Sequence, residues 1–129
     1  MAKREILFRG WNKKNKKWIY GYYCVNRGEH FIAPDRLVDV LESYDDYVVD
    51  ADTVGQYTGM KDAKGVKIFE GDIIGGDGCI HFIQYNDKEA QFVAVNRYIQ
   101  CGISQRLIDE FEKVVVGNVH ENKELIKIK

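Results

Sequence analysis

Apolar and polar positions alternate in short runs along most of the chain, and the runs are separated by turn-forming clusters. Near the start, "ILFRGW" and "WIYGYYCV" are rich in aromatic and β-branched residues and enclose the wholly polar "NKKNKK". Such residues suit a pleated, half-buried surface, so this stretch predicts a hairpin with a basic tip turning at Asn15. "HFIA" follows a turn at Gly28 and stops at Pro34, which has no amide hydrogen to give a ladder. The period then changes. Leu37, Val38 and Leu41, with Asp35 as N-cap, predict a short helix over 35–42, and "SYDDYVVDAD" reads as an acidic loop.

Strand character resumes at "TVGQYTG", where Gly55 weakens the middle. "KDAKG" has the layout of a hairpin loop, with Asp62 to bond the backbone and Gly65 to take positive φ. "VKIF", "DII", "CIHFIQYN" and "QFVAVN" continue as strands broken at "EGD", "GGDG" and "DKEA". In "CIHFIQYN" both faces carry apolar residues, which predicts burial on both sides or an edge meeting a second subunit. Ser104 with Leu107, Ile108 and Phe111 predicts a second short helix, and "VVVGNV" a last strand. The expected architecture is mostly β with one or two short helices, in a single domain over 1–129.

Length and composition narrow the class. At 129 residues with 30% charged residues, the chain is long enough to bury a core without disulfides, and is neither disordered nor membrane-spanning in composition. No apolar run reaches bilayer length, and Arg9 interrupts the only N-terminal apolar stretch, which predicts a cytoplasmic protein with no membrane partner. Cys24, Cys79 and Cys101 are widely spaced and odd in number, the pattern of reduced thiols.

The net charge of -1 gives no global pull toward polyanions, but its distribution is segregated. Lys3, Arg4, Arg9, Lys13, Lys14, Lys16 and Lys17 crowd the first twenty residues, while Asp35, Asp39, Glu42, Asp45, Asp46, Asp50 and Asp52 crowd 35–52. The two segments have the charge to attract each other, within a subunit or between subunits, or to recruit outside partners.

Three blocks of sequence, "FRGWNKKNKKWIYG", "TVGQYTGMKDAKGVKIFEGDII" and "VVVGNVHENKEL", resemble the YopX family of small phage and prophage proteins, in the family's order. The resemblance implies a mostly β protein: an N-terminal hairpin region with the acidic loop over 1–52, packed beside a small SH3-like barrel over 53–129. It implies a phage-infected or lysogenic bacterium as the setting, and oligomers. It carries no reaction and no catalytic residues.

Gly71-Asp72 after Glu70 offers a carboxylate, but a Gly-Asp pair before β-branched residues fits entry into a strand better than a metal or catalytic site. Cys79 and His81 form a single Cys-x-His pair, whereas zinc sites show paired short spacings, so no metal or cofactor is expected. "GGDG" lacks the Walker lysine and reads as a turn. Gly55, Gly59, Asp62, Gly65, Gly71, Asp72, Gly117 and Asn118 are read as structural positions. The remaining candidate is the basic hairpin, which interleaves Arg9, Lys13, Lys14, Lys16 and Lys17 with Trp11, Trp18, Tyr20, Tyr22 and Tyr23. Its plain reading is an amphipathic hairpin with aromatics in the core and lysines in water. The expected function is non-enzymatic: binding a host or phage protein, or self-assembly. The alternative is a nucleic-acid-binding barrel that uses Arg9, Trp11, Lys13, Lys14, Lys16, Lys17, Trp18 and Tyr20.

Overall fold

A computed structural model of the protein describes residues 4–34, 43–76 and 78–126. The chain divides into two compact units, Met1–Tyr57 and Thr58–Lys129. Antiparallel strands dominate both, as the alternating pattern predicts, and helical segments are few and short.

In the first unit β1 (Phe8–Asn12), β2 (Lys17–Asn26), β3 (Glu29–Ala33) and β4 (Val48–Val49) form a meander in the order β4-β3-β2-β1, and β5 (Gly55–Lys61) joins it beyond β1. The β1–β2 hairpin pairs Asn12 with Lys17, which leaves Lys13 to Lys16 as its basic tip. The β2–β3 connection is the two-residue turn Arg27-Gly28, both at positive φ, the geometry that matches strand twist. β3 stops before Pro34 as the missing amide hydrogen requires. The helix predicted over 35–42 lies outside the described residues. The acidic stretch is more ordered than a loop: it holds 3-10 turns at Tyr44–Asp46 and Ala51–Thr53 around β4, and the Asp50 carboxylate caps the second turn at the amide of Asp52. Alternation along the strands gives the unit two faces. Phe31 and Ala33 pack with Cys24, Tyr47 and Val48 on one, and Ile32 is wholly buried on the other.

The second unit takes up β5 past its midpoint, then β6 (Lys67–Phe69), β7 (Asp72–Gly75), β8 (His81–Asn86), β9 (Gln91–Val95), β10 (Gln100–Gly102), helix α1 (Gln105–Glu110) and β11 (Val114–Asn118). Its five-stranded sheet runs β10-β9-β8-β7-β11. Ile68, Ile74, Ile83, Ala94 and Ile108 form the core, with Met60, Phe92, Ile103 and Val115 packed around them. Full burial of each such side chain contributes roughly 1.5–3 kcal/mol.

The mostly β expectation holds. No closed barrel is seen: among the described residues the five-stranded sheet is open, with β10 and β11 as edges. α1 places Ile108 in the core. "CIHFIQYN" is not an edge: β8 lies between β7 and β9, with Ile83 buried and Gln84 and Tyr85 exposed.

Candidate functional site

Strand geometry decides how the residues of the basic hairpin are shared between its faces. Arg9 faces Tyr20 and Trp11 faces Trp18 across β1 and β2, and cross-strand partners point to the same side. Alternation adds Tyr22 to that side. Trp11 and Trp18 meet edge-on at 5.5 Å, and the Arg9 guanidinium lies 4.8 Å from the Trp18 ring centroid. Arg9 is itself buried against this ring, so its charge is not displayed. Trp11 and Trp18 are half-buried, whereas Tyr20 and Tyr22 are 48% and 62% exposed. The aromatics are therefore not all core: a Trp-Trp base supports a row of exposed tyrosines.

The lysine tip behaves differently from a free basic patch. Lys14 donates to Asp46 at 2.9 Å, Asn15 donates to the same carboxylate at 3.2 Å, and Lys13 lies 3.6 Å from Asp50. The hydrogen bond to Asp46 holds the Lys14 ammonium above its ordinary range, and the bonds from Lys14 and Asn15 hold Asp46 below the usual carboxylate range. Opposite charges segregated in the sequence thus meet inside one unit. A hollow of about 340 Å3 beside the tip is lined by Lys13 and Lys14 but also by Glu29, Asp45 and Asp50. A polyanion entering it would meet those acids. Lys16 and Lys17 are both exposed, and the Lys17 charge adds to the effect that lowers Asp46.

Asn12, which the sequence reading passed over, organises this region. It is 1% exposed; its amide donates to the carbonyls of Asp45 (3.0 Å) and Val48 (2.8 Å), and its oxygen accepts from the Asn15 amide at 2.7 Å. One buried side chain therefore ties the tip to the acidic segment that neutralises it. The signal was available, since an Asx residue at the end of a strand before a polar turn commonly bonds the backbone ahead of it.

The positions read as structural are bonded inward. Asp72, 2% exposed, accepts from the Phe69 amide at 2.7 Å. Beside it Gly71, at φ 92°, donates to Ile83 and accepts from Val119, so the Gly-Asp pair joins three segments. Asp62 accepts from Lys64 and Val66 at one oxygen and from Val115 at the other, all at 2.8–2.9 Å. Burial alone would raise its pKa; the amides of Val115, Val66 and Lys64 outweigh it and hold the carboxyl below its ordinary value. Asn118 accepts from His120 and Glu121, and Gly117 packs so tightly on Asn122 that an added Cβ would lie 2.4 Å from its Oδ1. Gly59 and Gly65 hold positive φ in open surroundings, and Gly55 pairs with Arg9. Asp62, Asp72 and Asn118 thus accept from backbone amides. His81 Nε2 lies 3.2 Å from the Asn96 amide, and among the described residues no three His, Cys, Asp or Glu side chains cluster as metal ligands.

These features define a class: small two-unit antiparallel β proteins in which polar residues at the turns pin successive strands. Within that class the chain belongs to the YopX family, whose model, YopX protein, matches residues 7–127. The crystal structure of protein EF1440 from Enterococcus faecalis is similar in fold, with a TM-score of 0.60 and 22% identity over 97% of this chain and 100% of that one. No curated protein matches the chain.

Proposed function

We propose that this is a phage- or prophage-encoded accessory protein of the host cytoplasm that acts by binding another protein, from phage or host, with no reaction of its own. The observation that carries the reading is the exposed Tyr20–Tyr22 row on a Trp11–Trp18 base. Tyrosine, tryptophan and arginine are the residues most enriched at binding hot spots, because they offer large, rigid apolar area with a polar handle. The row lies on β2, whose edges are filled by β1 and β3, so it presents side chains rather than an open ladder. The internal ion pairs of Lys13 and Lys14 favour a protein partner over a polyanion.

The alternative, nucleic acid stacked on the same aromatics, draws on the exposed Lys16 and Lys17. Affinity capture with the wild-type chain and with Tyr20→Asp/Tyr22→Asp separates the readings. The protein reading expects at least one captured protein to disappear with the double variant while the thermal midpoint stays put. Identical captured sets would overturn it. Salt-dependent oligonucleotide binding lost in Lys16→Glu/Lys17→Glu would then put the alternative in its place.

A further inference from the structure

Beyond partner binding, we infer that the protein pairs with a second copy of itself through the free edge of β10. The phase of the β9–β10 hairpin comes first. Asn96 donates its amide to the Ile99 carbonyl at 2.9 Å, so Asn96 and Ile99 are a hydrogen-bonded pair. Pairs alternate along an antiparallel ladder, which makes Ala94 and Cys101 the next hydrogen-bonded pair. The Cys101 backbone therefore turns inward to β9, and the amides and carbonyls of Gln100 and Gly102 turn outward. Among the described residues β10 ends the sheet, and all three of its residues are exposed. Such an edge is a template for another strand.

The residues around the edge fit a second copy in one register. With Cys101 facing Cys101 of the other copy, Gln100 faces Gly102, and their outward groups complete two reciprocal hydrogen-bonded pairs. Ile99 faces Ile103 on the side of the sheet that carries Cys101 and α1. Ile99 is 51% exposed, and Ile103 and Cys101 line a cavity of about 200 Å3 that opens beside Leu107 and Phe111. The apolar stripe Ile99, Cys101, Ile103 is thus complementary to itself, as a two-fold interface requires.

The register also predicts chemistry at its centre. Facing residues of a non-hydrogen-bonded pair have Cα atoms about 4.5 Å apart, within the range a disulfide spans. In full-length Cys24→Ser/Cys79→Ser protein, copper–phenanthroline should oxidise two Cys101 thiols to one disulfide, each losing a proton and an electron to the oxidant. We expect this cross-link to form at least about tenfold faster than the Cys79 cross-link in Cys24→Ser/Cys101→Ser protein. Sedimentation should show a monomer–dimer equilibrium. Ile99→Glu, which places a carboxylate against Ile103, should raise the dimer dissociation constant at least about tenfold and suppress the cross-link. Gly102→Pro removes an outward amide hydrogen and no bond to β9, and should weaken the dimer as well. A monomer at all concentrations, cross-linking rates equal at the two cysteines, or a dimer indifferent to Ile99→Glu overturns the inference. None of these outcomes involves the Tyr20–Tyr22 face.

Discussion

Asp62 gives the sharpest test of how this fold is held, because its two carboxylate oxygens serve different parts of the second unit. Oδ1 accepts from Lys64 and Val66 and shapes the loop after β5, while Oδ2 accepts from Val115 on β11, far away in sequence. Hydrogen bonds to a charged group contribute about 1.5–3 kcal/mol each, with losses that do not simply add. Asp62→Ala removes all three; the Lys64 and Val66 amides lie at a turn that water reaches, so we expect a loss of about 3–5 kcal/mol. Asp62→Asn retains one acceptor oxygen for the loop but sets an NH2 against the Val115 amide, and should lose about 2 kcal/mol. Urea unfolding of the full chain at pH 7 would show both as lower midpoints at unchanged slope. The pH dependence follows from the depressed pKa of the folded carboxyl. Its contribution is complete above the unfolded carboxyl value of about 4 and is lost as pH falls through the lower folded value. The gap between wild type and Asp62→Asn should therefore close over that acid range. An Asn variant within about 0.5 kcal/mol of wild type at neutral pH, or a gap that does not change with pH, would refute the reasoning.

Two further predictions concern the first unit. Asn12→Ala should destabilise by about 2–4 kcal/mol in chemical unfolding. Asn12→Asp should be no better, since a carboxylate cannot donate to the carbonyls of Asp45 and Val48; full stability of the Asp variant would contradict the bonding described. Gly21→Ala would place its Cβ 2.1 Å from the Ala33 carbonyl oxygen and should cost about 3 kcal/mol. Gly28→Ala, at positive φ in open space, should cost only about 1 kcal/mol, and equal thermal midpoints for the two would count against the steric argument.

What the sequence disclosed follows the range of the forces involved. Strand pairs joined by short turns were legible because period-two patterning and turn chemistry are local: the β1–β2, β2–β3 and β8–β9 hairpins all pair where the polar clusters place them. α1 was legible too, since Ser104 accepts from the Leu107 amide as its cap position predicts. The strand order of the five-stranded sheet was not, because it sets β11 beside β7, a pairing of segments far apart in the chain that no local spacing states. The candidate site divides along the same line. Its residue types were plain in "RGWNKKNKKWIYGYY", but their division into buried Arg9, ion-paired Lys13 and Lys14 and exposed Tyr20 and Tyr22 rests on contacts across more than thirty residues, such as Asn12 to Val48. A basic run predicts a basic surface only when nothing folds back onto it. Here the acidic segment does, pairing with Lys13 and Lys14, while Tyr20 and Tyr22 stay exposed.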